Sequence, residues 1–417
     1  VSQSASISLS VSPSAGLTTV FDDLIRFFVK CSDGYTYGFG STGSIYRRDA
    51  DAFWQKVYDD SDGAIKGAEE IPKEGSVTYL GWCTDTKVKR KPIPGISNWN
   101  DVEVVAQNLQ SADWHTMRQV AGATKIANKS MLAMVGYDGS FTNEAVDFIP
   151  GTIINTLVER NGRVISSTAN AAIDAEQPLA QVGTDGEVYF ANMSDTIPVF
   201  RFPGGGQVNP GGVCNQVDQV EFFEWEESAL SWIDKQSVGN LSLWAVYDAD
   251  SGYGGVYSYG RKRKNHPVVL NLEYALDMDE LGAVVTVDGT VLVSYRDGSD
   301  FGVKASDSTT KATATYEGLD LKAPVKKPVN ITHWKYAEVF MKPLPASCHV
   351  QFSYKVNKTG AWISAVQQGG SSDYNVDQGK KAVFQIGAEG EIFEPRIVLT
   401  PKNNTTPEVY RVRIGFD

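Results

Sequence analysis

Apolar and polar positions alternate along the 417 residues in short runs bounded by turn residues, with no long helical stripe. Residues 34–48 (GYTYGFGSTGSIYRR) and 76–90 (SVTYLGWCTDTKVKR) each read as an apolar strand, a small polar turn and a second strand ending in basic residues. Residues 131–141 are a third copy, and weaker copies begin at Gly186, Asn240 and Gly289. Anchored on Tyr37, Tyr79, Leu132, Val188, Leu243 and Leu292, the repeats are spaced by 42, 53, 56, 55 and 49 residues. Each interval holds about four short strands with their turns, the content of one propeller blade. A single twisted sheet cannot bury both faces, whereas radially stacked sheets do so. Six anchors predict an all-β chain that begins with a β-propeller of about six blades, with room for a seventh in residues 204–239.

Two prolines and three lysines in residues 322–328 (KAPVKKP) predict a stiff, exposed connector. Beyond it the period becomes a cleaner alternation, as in residues 349–356 (HVQFSYKV), 382–386, 395–400 and 408–416. About seven strands in so short a stretch predict an antiparallel β-sandwich. The expected organisation is a propeller over 1–321, a hinge over 322–328 and a sandwich over 329–417. Weak 3.6-residue spacing in 101–121 and 220–235 reads equally well as strand. Five glycines and two prolines make residues 203–212 a loop.

Charge narrows the function. With 38 Lys+Arg against 50 Asp+Glu, the formal charge of −12 opposes a nucleic-acid-binding role, which needs a basic face. Two local basic clusters, Arg261 to Lys264 and Lys87, Lys89, Arg90 and Lys91, read as solvated strand ends or loops rather than anion patches, with Val88 turned inward. No apolar run is long enough for a membrane span. The first ten residues alternate like a strand and lack the pattern of a secretory signal. Cys31, Cys83, Cys214 and Cys348 are widely spaced, which fits buried free thiols in a reducing cytosol.

Candidate chemistry is sparse. His115, His266, His333 and His349 show no metal-ligand spacing, and neither a nucleophile elbow nor a phosphate loop is present. Turn aspartates recur at Asp33, Asp85, Asp138, Asp195, Asp248 and Asp297, as expected of residues that bond their own backbone. They are also the carboxylates weighed for a glycan hydrolase, and they match no sialidase-type box. Trp54, Trp82, Trp99, Trp114, Trp225, Trp232 and Trp244 fit wedges between blades better than a sugar platform. Tyr253, Tyr257 and Tyr259 are the candidate ligand-facing aromatics. No catalytic, cofactor-binding or metal-binding residue is predicted, and the chain is expected not to be an enzyme.

Residues 82–95 (WCTDTKVKRKPIPG), 111–117 (SADWHTM) and 134–141 (MVGYDGSF) resemble propeller-type structural proteins of the tail or neck of tailed bacteriophages. Residues 332–336 and 387–397 look like the β-sandwich modules of such virion proteins. The resemblance implies a virion component assembled in the host cytoplasm, in several copies or a homo-oligomeric ring, with other virion proteins as partners. It carries over no catalytic residue. The alternatives are a propeller at the particle tip that binds a host-surface receptor or glycan, and a glycan hydrolase.

Overall fold

The computed structural model describes residues 7–11, 21–50, 52–71, 77–93, 99–120, 122–147, 152–160, 163–170, 181–182, 187–191, 196–201, 213–215, 241–247, 254–260, 269–311, 313–318, 320–322, 331–403 and 405–417. Among them all regular structure is β-strand. By compactness the chain divides into residues 10–305, the first unit, and residues 306–417 together with 1–9, the second.

After β1 (Ile7–Val11), the first unit is a series of antiparallel meanders. β2 (Ile25–Lys30), β3 (Thr36–Gly40), β4 (Ser44–Arg48) and β5 (Trp54–Asp59) form one sheet. β6 (Gly67–Ile71), β7 (Thr78–Cys83), β8 (Val88–Ile93) and β9 (Glu103–Ala106) form the next. β10 (Met117–Val120), β11 (Ala123–Asn128), β12 (Met131–Gly136) and β13 (Phe141–Asp147) follow. Then come the hairpin β14 (Thr152–Arg160) and β15 (Arg163–Asn170), and the sheet β16 (Gln181–Val182), β17 (Glu187–Ala191) and β18 (Thr196–Arg201). β19 (Val213–Asn215), β20 (Leu241–Val246), β21 (Gly255–Gly260) and β22 (Val269–Ala275) make another four-stranded sheet. β23 (Glu280–Val287), β24 (Thr290–Asp297) and β25 (Asp300–Lys311) are hydrogen-bonded in sequence, with β1 beside β25.

Each of the six sequence anchors falls on a different sheet, and the hairpin β14–β15 lies between the third and fourth anchors. Residues 101–121, the ambiguous stretch, hold β9 and β10 and no helix among the described positions. Residues 203–212 and 220–235 lie outside the described residues.

The sheets stack through their faces. β2 lies beside β6, β6 beside β10, β10 beside β14, β19 beside β23, and β23 beside β2. The first strand of one sheet therefore neighbours the first strand of the next, the arrangement of a β-propeller. One core joins Phe27, Tyr37, Phe39 and Ile45 of the first sheet to Ala68, Leu80 and Trp82 of the second. Another joins Ile25 and Tyr46 to Ala283, Leu292 and Val303, so the β2–β5 sheet also packs on the β23–β25 sheet. Ser294 Oγ ties these two sheets together: it donates to Ile25 O at 2.5 Å and accepts from Ala283 N at 2.9 Å.

Turns are held by side chains. Buried Asp23 accepts from Ser41 N at 3.0 Å and Thr42 N at 2.7 Å, and from both hydroxyls, fixing the turn from β3 to β4. Gly67 sits where β6 meets the segment leading into β10. A Cβ there would run into the His115 carbonyl oxygen, and His115 N donates to Lys66 O at 2.8 Å across the same junction. Gly67→Ala is therefore expected to destabilise the chain by about 1–3 kcal/mol through overpacking against backbone that cannot yield. Urea unfolding checks this, and an unchanged midpoint would contradict the packing.

The second unit has two antiparallel sheets. One has the order β26 (Ala314–Glu317), β34 (Ile392–Thr400), β29 (His349–Val356) and β30 (Thr359–Ser364), with β27 (Leu321–Lys322) on β34 and β32 (Asp373–Tyr374) on β29. The other has the order β31 (Val366–Gln367), β33 (Lys381–Gly390), β28 (Thr332–Met341) and β35 (Val409–Phe416). Alternation carries the burial: β34 reads half-buried and buried in strict turn, and β29 begins the same way. Inward residues of both sheets, among them Trp334, Val339, Phe352, Phe384, Phe393 and Leu399, form one core. β26 and β27 already pair with β34, so the second unit includes a strand before the Pro/Lys segment and one that runs into its first residue, Lys322. Of that segment, residues 323–328 lie outside the described positions.

Candidate functional site

The basic cluster on β8 is neither solvated nor open to an anion. Lys89 and Lys91 are buried, because a stacked sheet is covered on both faces and alternation there does not separate core from solvent. Lys89 Nζ lies 2.5 Å from both Asp60 Oδ1 and Asp62 Oδ2, and Lys87 Nζ lies 2.7 Å from Asp62 Oδ1. Lys91 pairs with Asp101 at 2.5 Å and Arg90 with Glu103 at 2.8 Å. Burial alone would lower the Lys89 pKa, but Asp60 and Asp62 outweigh it and raise the pKa, so the ammonium is retained. Val88 is buried as expected. The second basic cluster, residues 261–264, lies outside the described residues.

Three of the four described turn aspartates are committed to structure. Asp33 accepts from Tyr35 N at 3.0 Å and from the Tyr37 hydroxyl at 2.9 Å. Asp85 holds Lys66 at 2.5 Å and Ser111 at 2.9 Å, and Asp138 accepts from Ser140 N at 2.9 Å and Oγ at 2.6 Å. Asp297 faces Asp300 across the turn from β24 to β25. Asp195 and Asp248 lie outside the described residues.

The histidines follow the same pattern. His115 is buried with Nδ1 2.8 Å from Ala127 O and Nε2 2.8 Å from Asp85 O. Burial pushes its pKa down, against the pull of those two carbonyls. His333 faces Glu389 at 3.4 Å and His349 faces Asp373 at 2.6 Å, whereas His266 lies outside the described residues. No group of three or more metal-ligating side chains occurs among the described residues.

Aromatic residues go mainly to packing. Trp82 and Trp244 are fully buried, and Trp82 lies 6.4 Å from both Phe39 and Trp99, with Tyr58 at 6.1 Å. Tyr58 and Trp99 stack at 5.2 Å. Of the three tyrosines expected to face a ligand, Tyr257 is only 4% exposed, opposite Trp244 in the ladder, so its ring belongs to the core. Tyr259 is on the same strand, and Tyr253 lies outside the described residues. Cys31, Cys83 and Cys348 are buried free thiols.

A charged set on the first strands escaped the sequence reading. Arg26 on β2, Glu69 and Glu70 on β6, Arg118 on β10 and Glu280 on β23 all lie on strands that adjoin in the stack. Arg118 Nη1 meets Glu69 Oε2 at 3.2 Å, and Arg296 Nη2 meets Glu280 Oε2 at 3.2 Å. Burial pushes the Glu69 carboxyl up, and Arg118 pulls it back. Burial and the Glu280 carboxylate raise the Tyr247 phenol, while Arg26 and Arg296 oppose them. Such a set of fixed charges suits recognition of a polar ligand. The signal available in the sequence was a charge inside the apolar opening strand of the first three repeats, IRFFVK, GAEEI and MRQV.

Lysine partners shift several carboxylates downward: Lys87 and Lys89 lower Asp62, Lys66 lowers Asp85, and Lys91 lowers Asp101. A carboxylate whose folded pKa lies below its unfolded value stabilises the fold above that unfolded value, and the contribution is lost as pH falls through the folded pKa. The urea midpoint is thus expected to fall on acidification below the ordinary Asp range. In an NMR titration Asp85 should ionise below 3.8, and Lys66→Met should return it toward that value. An Asp85 titration unmoved by Lys66→Met would refute the pairing.

No protein-family model matches the chain, and no curated protein matches it in sequence. Among solved structures it is similar to an oxidoreductase (glucose dehydrogenase) from Thermus thermophilus, at 14% identity and a TM-score of 0.43, over 71% of this chain and 99% of that one. It is also similar to the WD40 β-propeller domain of Doa1, at 11% identity and a TM-score of 0.38, over 72% and 97%. An exo-β-1,3-galactanase from Phanerochaete chrysosporium aligns with 98% of this chain and 100% of its own, at 12% identity and a TM-score of 0.33. No functional residue is carried over from these likenesses.

Proposed function

We propose that the chain is a non-enzymatic structural component of a tailed-phage particle, in its tail or neck. In this reading a propeller is followed by a β-sandwich that docks on neighbouring virion proteins. The hairpin β14–β15 counts as a blade beside the six anchored sheets, giving seven. The observation that carries the non-enzymatic reading is the commitment of three of the four described turn aspartates and of His115. Asp33, Asp85 and Asp138 hold turns or ion pairs, and both nitrogens of His115 sit on backbone carbonyls. The placement in a phage particle rests on the resemblance of residues 82–95, 111–117 and 134–141. Acidic net charge favours solubility and opposes adventitious binding to packaged DNA.

Density-gradient fractionation of a producing culture tests the proposal. The chain is expected to co-sediment with infectious particles and to stay with them after nuclease treatment. Recovery only in the soluble fraction would contradict it. A second reading, glycan recognition, is favoured by the charged first-strand set around Glu69, Arg118 and Glu280. Saturable binding of a host-surface glycan, lost in Arg118→Ala, would support that reading, and sugar release would point instead to a hydrolase.

A further inference from the structure

The two units carry opposite charge. Residues 306–417 contain 14 Lys+Arg and 11 Asp+Glu, a formal charge of +3, whereas residues 1–305 contain 24 and 39, a charge of −15. Within the second unit the positive charge gathers on the outer face of the sheet that ends in β35. Phe340 lies opposite Lys381 on one side and Arg411 on the other, and both cations sit over its ring, at 5.3 and 5.5 Å. Next along, Glu338 meets Lys381 at 2.5 Å and Arg413 at 3.6 Å. Three cations thus share one carboxylate, whose pKa they hold below its ordinary value, Lys381 foremost. The face keeps a net positive charge.

β35 pairs only with β28 among the described residues, which leaves its outer edge of backbone donors and acceptors open. Basic side chains on such an edge discourage indiscriminate pairing. They do not account for Tyr410, 59% exposed on the same strand, nor for the open side of Phe416, which is 43% exposed although its ring also meets Trp334. A free edge flanked by cations and two exposed rings fits an added strand that is acidic and partly apolar.

The chain supplies such a strand. β13 is the last strand of its sheet and pairs only with β12 among the described residues. Its sequence, FTNEAVD, has two acids and no base, and Thr142, Glu144, Val146 and Asp147 are exposed. The other outer strands fit less well: β5 carries Lys56, Glu103 of β9 is held by Arg90, and β22 has a single acid, Glu273, which accepts from Ser258 Oγ. We infer that the edge of β35 takes β13 of a second copy of this chain, with Glu144 set beside the Arg411 and Arg413 row. Because the two surfaces differ, the contact is head-to-tail and propagates into a ring or a filament. This inference does not depend on the phage reading.

Sedimentation velocity on the full chain tests it. Association should rise with concentration at about 0.01 M salt, where charges act over about 30 Å, and weaken at about 1 M, where they act over about 3 Å. Arg411→Glu with Arg413→Glu should reduce the association constant more than about tenfold, because like charges then face each other. Glu144→Lys with Asp147→Lys should do the same. Mixing the two variants should restore association, because the wild-type β13 of one meets the wild-type β35 of the other and the two reversed surfaces are again opposite in charge; this also shows that both are folded. A wild-type chain that stays monomeric at low salt at every concentration overturns the inference, as does association unchanged in the arginine variant. Failure of the mixed variants to associate overturns the assignment of β13.

Discussion

Asp60→Ala is expected to cost the chain about 3–5 kcal/mol, the range found when one partner of a buried ion pair is removed. Asp60 has no exposed side-chain surface. One of its oxygens accepts from Trp82 Nε1 at 2.6 Å, and the other takes Lys89 Nζ at 2.5 Å and Asp62 N at 2.9 Å. Alanine would leave an indole donor and much of an ammonium charge without their acceptor, in a site where Lys89 is only 6% exposed. Asp62 remains as a partner for Lys89, so the lower end of the range is expected. Asp60→Asn keeps the shape and a carbonyl acceptor for Trp82 but removes the charge and turns an NH2 donor toward Lys89 Nζ and Asp62 N, so it too should destabilise the chain. Chemical denaturation followed by Trp fluorescence measures both variants. A wild-type midpoint in both variants, each of which removes the charge, would mean that the charge of Asp60 has no part in stability.

Trp334→Ala should have a comparable effect in the second unit, about 3–5 kcal/mol, from lost burial and the cavity it leaves. Trp334 is 1% exposed, packs 4.8 Å from Phe393 and 5.5 Å from Phe416, and donates from Nε1 to Gly390 O at 3.1 Å. Both core sheets meet at this ring, since Phe393 lies on β34 and Trp334 on β28. Trp334→Phe retains the aromatic packing and loses the indole donor, and should recover most of the loss. Limited proteolysis localises the change: cleavage should accelerate within residues 331–417 in the alanine variant. Protection there equal to wild type would contradict the core assignment.

The repeats were legible because their signals are local. Alternation and turn residues placed one anchor on each of six sheets, and Asp33 and Asp138 bond backbone two residues away, as turn aspartates do. The alternation of residues 349–356 and 395–400 likewise matches their burial in β29 and β34. Lys89 and Lys91 were misread because their exposure depends on the neighbouring sheet rather than on their own strand. The charged first-strand set was missed for a related reason. Glu69 finds Arg118 49 residues later, in the next repeat, and no local pattern links the two. Tyr257 looked available in an aromatic, glycine-rich run, yet its strand is an inner member of its sheet. β26 precedes the Pro/Lys segment and β27 runs into its first residue, but both pair with β34 about seventy to eighty-five residues onward, a long-range pairing that composition does not encode.

The measurement that tests the central claim most directly is absolute peptide quantification across a density gradient of purified particles. A structural part should appear at a fixed ratio to the capsid and tail proteins in every particle-bearing fraction and from one preparation to the next. A ratio that drifts between fractions, or a chain absent from particles and abundant in the surrounding lysate, would contradict the account.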